Sequence, residues 1–73
     1  MKVVIMGCGR VGAELAALLD REGQEVTILD IDPDAFGQLP SDFKGSRVVG
    51  NGIDQDVLRR IGVAEADAFV AVT

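Results

Sequence analysis

Three glycines follow a short apolar run near the start of the chain and form the pattern G-x-G-x-x-G. The run is Val3-Val4-Ile5-Met6, and the glycines are Gly7, Gly9 and Gly12. This order predicts a buried strand, a sharp turn and a helix N-terminus, whose unpaired N–H groups and positive dipole end attract phosphate. In a dinucleotide site Gly7 would make the tight turn, Gly9 would admit a pyrophosphate, and Gly12 would allow close helix–strand packing. The glycines could instead merely shape a strand–helix turn.

Two side chains inside the glycine pattern have possible roles of their own. Arg10 could reach a phosphate with its guanidinium in a bidentate manner, or it could be an ordinary surface arginine. Cys8 stands between two glycines and is most simply a small residue buried in the turn, with a redox role as the minor alternative.

A carboxylate follows the second predicted strand. Asp30 comes 18 residues after Gly12, where a carboxylate can accept both ribose hydroxyls of an adenosine. The same charge would repel a 2′-phosphate, so NAD(H) or an adenine nucleotide is favoured and NADP is disfavoured. Asp32 and Asp34 are alternative candidates for the ribose carboxylate, although a helix cap is the favoured role for Asp32 and a solvated charge for Asp34.

Further polar residues follow the third and fourth predicted strands. Gly50-Asn51-Gly52 comes after the third strand and Thr73 after the fourth. Ligands of open α/β sheets bind at the C-terminal ends of the strands. Asn51 could therefore hold an adenine edge or a ribose, although a residue of a tight glycine-flanked turn is an equally good interpretation.

The elements that must position these residues alternate between strands and helices. The predicted strands are Lys2–Met6, Glu25–Leu29, Arg47–Val49 and Ala68–Val72. The first predicted helix begins at Val11 and is stopped by Gly23, and a short helix begins at Pro33. The last predicted helix spans Gln55–Ile61, with Asp54 as its N-cap. Right-handed crossovers then predict an α/β fold, a Rossmann-like parallel sheet with helices on both faces and strand order 3-2-1-4. This is the first half of a doubly wound NAD-binding fold. The apolar stripe of the first helix is predicted to be Val11, Leu15, Leu18 and Leu19. Small residues of the same helix would let it lie close to the sheet: Gly12, Ala13, Ala16 and Ala17.

Composition limits the classes of function. The chain has 73 residues, a net charge of −5, one cysteine and no histidine. The negative charge argues against nucleic acid or an anionic membrane as a partner, and no apolar run approaches the roughly 20 residues of a membrane span. A disulfide framework, a metal site and a histidine-based catalytic site are not expected. The first strand leaves no room for a signal peptide, so we expect a cytoplasmic protein.

Three segments together resemble a known family. They are GCGRVG after a short strand, LDID at the end of the second strand, and VVGNGIDQDVLRRIGVAEADAFVAVT. The chain resembles the RCK N-terminal (TrkA-N, KTN) domain over all 73 residues. The third segment is the most specific, because a generic dehydrogenase does not share it.

The resemblance implies a regulatory module rather than an enzyme. Family members bind NAD(H), ATP or ADP, regulate potassium uptake systems and channels, and assemble as homo-oligomers beneath a membrane transporter or channel subunit. The expected location is cytoplasmic, peripheral to the inner face of the cell membrane. By matching positions, the nucleotide contacts fall on Gly7, Cys8, Gly9, Arg10, Val11, Asp30, Asn51, Gly52 and Thr73. Asn51 stands where many members have aspartate.

The family domain continues through two further strands, so residues 1–73 are expected to be the first part of an RCK N-terminal domain. Two alternatives stay open: the cofactor-binding half of an NAD-dependent dehydrogenase, whose catalytic residues would follow Thr73, and a fragment without independent activity. The fourth strand would be an exposed edge of the sheet that contains Phe69 and Val70 and is followed closely by Val72, which predicts self-association or pairing with a partner chain.

Overall fold

The computed structural model describes residues 1–52 and 54–72. Its strands are β1 (Lys2–Met6), β2 (Glu25–Asp30), β3 (Ser46–Val49) and β4 (Ala68–Ala71), and its helices are α1 (Arg10–Arg21), α2 (Gln55–Arg60) and two 3-10 helices, Pro33–Gln38 and Val63–Glu65. Each predicted strand is confirmed to within one residue at either end. The short helix predicted after Asp32 is the first of the 3-10 helices.

The described strands form one parallel sheet in the order β3-β2-β1-β4, which confirms the predicted Rossmann-like α/β fold. At the centre of the sheet, Val4 of β1 is in register with Thr27 of β2 on one side and with Phe69 of β4 on the other. Because all the strands run in the same direction, their C-terminal ends meet at one edge of the sheet. The candidate site residues follow at this edge.

Both faces of the sheet are covered by helices, as predicted. One face carries the main core, formed by Val3, Ile5, Cys8, Ala13, Ala16, Val26, Ile28, Leu39 and Phe43. Val4 and Leu29 are also fully buried, and strand alternation places them on the opposite face. The α2 residue Val57 packs there, since a side chain added at Gly50 would touch both Val57 and Leu29. Burial on both faces explains why β1 has an unbroken apolar run from Val3 to Met6.

The buried side of α1 is the set of small residues predicted to lie close to the sheet, and only part of the predicted apolar stripe packs beside it. Its buried residues are Gly12, Ala13, Ala16 and Ala17. Val11 and Leu18 are 65% and 53% exposed, so the prediction that they face the core is wrong. Leu15 and Leu19 pack at the margin of the core. Small residues occupy the buried side because they let α1 lie close to the sheet. The bulkier apolar residues of the helix therefore point away from the middle of the contact with the sheet.

The helix boundaries follow the predicted signals. The Asp32 carboxylate accepts a hydrogen bond from the Asp34 N–H at 3.0 Å, and the Asp54 carboxylate accepts one from the Asp56 N–H at 2.9 Å. Beyond α1 and α2, Gly23 and Gly62 adopt left-handed φ values of 85° and 74°. Among the described residues, no helix combines the length and apolarity needed to cross a membrane.

Candidate functional site

The glycine turn joins the end of β1 to α1. Gly7 has a φ of 106°, a conformation that favours glycine, and its N–H donates to the Leu29 carbonyl oxygen at 2.7 Å. Gly9 is the N-cap of α1 but offers no side-chain cap, and the first turn of α1 carries no acidic residue. The first N–H groups of a helix have no partner within the helix. The start of α1 is therefore suited to bind an anion.

The other α-helix in the described part of the chain begins differently. Asp54 caps α2 through its carboxylate, and Asp56 adds a second negative charge to the first turn. The Asp54 carboxylate accepts hydrogen bonds from N–H groups in the first turn of α2, and the two negative charges offset the positive end of the helix dipole. Of these two helices, only α1 therefore begins without a side-chain cap and without an acidic residue in its first turn.

Gly9 leaves space beside the turn. A Cβ added at Gly9 would meet no atom within 4 Å. Its φ of −78° is also open to any residue, so neither packing nor conformation in the described chain requires glycine there. A glycine at this position leaves the main chain accessible to an approaching group.

Asp30 connects three segments of the site. Its Oδ2 accepts the Cys8 N–H at 2.8 Å, and its Oδ1 accepts the Asp32 N–H at 2.9 Å. Its main-chain oxygen accepts the Gly50 N–H at 3.0 Å. The amide hydrogen bonds from Cys8 and Asp32 hold the pKa of the Asp30 carboxyl below its usual value, so it is ionised at neutral pH.

A cavity of about 220 Å³ lies between the ends of β1 and β2 and the loop after β3. We call it the Asp30 pocket; it is lined by Met6, Gly7, Leu29, Asp30, Ile31, Gly50, Asn51 and Gly52. The fold thus brings the predicted residues Asp30, Asn51 and Gly52 to one cavity. Gly52 lies against the Met6 side chain, because a Cβ at Gly52 would collide with the Met6 sulfur.

The predicted contacts did not include the apolar side chains that line the Asp30 pocket, among them Ile31 and Met6. Ile31 is 70% exposed and Met6 ends β1, and both present apolar surface to the cavity. The signal for Ile31 was available, since an apolar residue between two aspartates after a strand end has no place in the core.

A second hollow, of about 360 Å³, lies on the other side of the glycine turn. It is lined by Gly9, Arg10, Val11, Gly12 and Val72. The predicted contacts Arg10 and Val11 are both exposed there. The predicted contact Thr73 lies outside the described residues.

Cys8 is a core residue of the turn. Its side chain is 0% exposed, which confirms the interpretation as a buried turn residue. Burial, and then the nearby Asp30 carboxylate, raise the pKa of the Cys8 thiol, so the thiol is protonated at neutral pH. Across residues 1–52 and 54–72, no group of three or more His, Cys, Asp and Glu side chains could hold a metal ion.

Comparison with known proteins identifies the family. A family model described as the TrkA-N domain matches residues 3–73. The chain belongs to the TrkA-N domain family. The predicted resemblance is thereby confirmed over nearly the whole chain.

Proteins that share this TrkA-N domain include several named for potassium uptake. The chain is 53% identical over 73 residues to a Trk system potassium uptake protein TrkA of Streptomyces coelicolor. It is 40% identical over 73 residues to a protein of the same name from Halomonas elongata, and 34% identical over 73 residues to a TrkA homolog of Pyrococcus abyssi. All of the TrkA-N chain is matched in each case, but it spans only 33%, 16% and 32% of these relatives, respectively.

Proposed function

We propose that this TrkA-N domain binds an adenine nucleotide at the glycine turn and is a regulatory module of a potassium uptake system. The observation that carries the proposal is the start of α1. It has no side-chain cap and no acidic residue in its first turn, and Gly9 leaves space beside it. A di- or triphosphate there would accept hydrogen bonds from the first N–H groups of α1.

The Asp30 pocket would hold the adenosine. An ionised carboxylate has about four lone-pair positions, and the amides of Cys8, Asp32 and Ile31 occupy only part of that capacity at Asp30. The remaining capacity is available to a ribose hydroxyl. The pocket volume of about 220 Å³ and its apolar residues Met6 and Ile31 suit a purine base and its sugar. A 2′-phosphate would be repelled by Asp30, so NADP is disfavoured.

The candidate ligands are NAD(H), ATP and ADP, since all carry the same adenosine ribose. A dinucleotide would use the Asp30 pocket and the hollow beside Val72, one on each side of the phosphates. ATP or ADP would use the Asp30 pocket and the start of α1. Both arrangements are compatible with the site.

Binding rather than turnover is the proposed activity. The Asp30 carboxyl has a lowered pKa and the Cys8 thiol a raised one, so neither group exchanges a proton readily at neutral pH. Both groups also hold the turn in place, one by its hydrogen bonds and one by its burial. These are properties of a binding site.

The names of the relatives support a role in potassium uptake. On this proposal the domain regulates a membrane potassium transporter or channel subunit, assembles as a homo-oligomer, and is cytoplasmic and peripheral to the inner face of the membrane. Potassium itself would be carried by the partner. The nucleotide would report the state of the cell to that partner.

Isothermal titration calorimetry of the full chain with NADH, NAD⁺, ATP, ADP and NADPH tests the nucleotide site. We expect micromolar dissociation constants for at least one of the first four ligands, and NADPH to bind at least about tenfold more weakly than NADH. Dissociation constants in the millimolar range for all five would contradict nucleotide binding. Consumption of NADH without an added enzyme would contradict the assignment as a binding module.

A further inference from the structure

The glycine turn is held to β2 by two neighbouring amides. The Gly7 N–H donates to the main-chain oxygen of Leu29 at 2.7 Å, and the Cys8 N–H donates to the carboxylate of Asp30 at 2.8 Å. The first bond joins two main-chain atoms, so it does not depend on a particular side chain. The second depends on the Asp30 side chain.

The Asp30 carboxylate therefore lies at the boundary of two half-sites. Its Oδ2 holds the turn immediately before Gly9, where the phosphates are proposed to bind. Its Oδ1 holds the Asp32 N–H, which fixes the rotation of the carboxylate. A carboxylate fixed at both oxygens cannot rotate away from the turn without losing a charge-assisted hydrogen bond.

We propose that Asp30 is a positioning residue for the phosphate half of the site in addition to being a ribose contact. By holding the Cys8 N–H, its carboxylate orients Gly9 and the start of α1 toward the phosphates. Recognition of the ribose and of the phosphates is then coupled through a single side chain. This inference rests on the proposed nucleotide site.

A ligand without ribose hydroxyls separates the two roles. If Asp30 acted only through the ribose, Asp30→Asn would not change the affinity for 2′,3′-dideoxy-ATP, because that ligand has no hydroxyl to bind. If Asp30 also positions the turn, the variant loses affinity for both ATP and the dideoxy analogue. Asparagine keeps the shape of the side chain and leaves the main-chain bond to Gly50 in place.

Calorimetric titration of the full chain with both ligands provides the measurement. We expect Asp30→Asn to weaken 2′,3′-dideoxy-ATP by at least about fivefold and ATP by a larger factor. Asp32→Asn is the matched control: it removes one negative charge nearby, but the Asp32 carboxylate bonds to the Asp34 N–H and not to the turn. An unchanged affinity for the dideoxy analogue in Asp30→Asn, with ATP weakened, would overturn the positioning role and leave the nucleotide site intact.

A measurement without ligand tests the same bond when no nucleotide binds or when the variant does not fold. In the wild-type chain we expect a through-hydrogen-bond scalar coupling between the Cys8 amide nitrogen and the Asp30 carboxyl carbon. We also expect slow hydrogen exchange of the Cys8 amide, and at least about tenfold faster exchange in a folded Asp30→Asn variant. Absence of the coupling, together with rapid exchange of this amide in the wild type, would overturn the proposal.

Discussion

The Cβ position of Gly12 points at the carbonyl oxygen of Gly7, and a methyl group there would collide with that oxygen. The same methyl group would lie 3.1 Å from Cγ2 of Val72, which follows β4. Gly12 therefore sets how closely α1 approaches β1 and which side of α1 faces the sheet. The third glycine of the motif is a packing requirement of the protein itself.

Gly12→Ala is expected to destabilise the fold by about 2 kcal/mol or more, because the atom that blocks the new methyl group belongs to the main chain and cannot move aside cheaply. Urea unfolding followed by circular dichroism measures the change. Gly37→Ala is the matched control, since a Cβ there meets no atom within 4 Å. A Gly12→Ala variant as stable as Gly37→Ala would contradict the close approach.

Gly9→Ala, unlike Gly12→Ala, is expected to affect nucleotide binding far more than stability. The methyl group has free space and an allowed φ, but alanine is a poorer N-cap than glycine, so the two effects should offset and stability should change by less than about 1 kcal/mol. The methyl group would, however, occupy the space proposed for phosphate, and nucleotide affinity should fall by about tenfold or more. Paired unfolding and calorimetric titrations check both parts, with Gly37→Ala again as the control. Wild-type affinity in Gly9→Ala would argue that the phosphates bind elsewhere.

The dependence of the free energy of unfolding on pH, below neutral pH, should reveal the contribution of the hydrogen bonds to Asp30. The pKa of this carboxyl in the folded chain is lowered below its ordinary value of 3.8 by the Cys8 and Asp32 amides. Its contribution to the free energy of unfolding is therefore fully present above the ordinary value and is lost as pH falls through the lower folded-state pKa. Asp30→Asn should be less stable than the wild type at neutral pH and lose less stability on acidification.

Urea unfolding at a series of pH values from about 2 to about 7 measures this difference. Asp42→Asn, which removes an exposed carboxylate outside the site, measures the general effect of one lost charge. If the wild type and Asp30→Asn lost stability in parallel across this range, the Asp30 hydrogen bonds would not contribute to folding.

Much of the fold could be predicted because its signals are local. Short β-branched runs separated by glycines and by Asp32 and Asp54 caps define the elements, and right-handed crossovers order the sheet. The small residues of α1 predicted its close approach to the sheet, whereas its apolar stripe predicted the wrong rotation. Val11 and Leu18 are exposed because the contact of Gly12 with Gly7 sets the buried side, and this contact joins residues of two different elements.

The candidate site, like the fold, was predictable where the signals are local and not where they depend on contacts between distant residues. Spacing after the glycines predicted Asp30, and the strand ends predicted Asn51, because both positions follow from the order of the elements. The bond between the Asp30 carboxylate and the Cys8 N–H joins residues 22 positions apart, and no pattern in the sequence specifies it. The roles of Met6 and Ile31 likewise emerge only when the ends of β1 and β2 meet.

The exposed edge of β4 predicts association between chains. Among the described strands, β4 pairs with β1 alone, so its outer edge offers unpaired N–H and C=O groups to a further strand. Phe69 on this strand is 43% exposed, which adds apolar surface to the edge. Sedimentation velocity over a range of concentrations should therefore detect dimers or larger species of the full chain.

Phe69→Lys should weaken this association by about tenfold or more, because a charged side chain on an edge strand disfavours pairing with another copy. Leu18→Lys is the matched control: Leu18 is 53% exposed but lies on α1 and not on the edge, so association should persist in that variant. Equal weakening by both substitutions would place the contact on the helical surface rather than on β4. A wild-type chain that sediments as a monomer at high concentration would contradict edge-mediated association altogether.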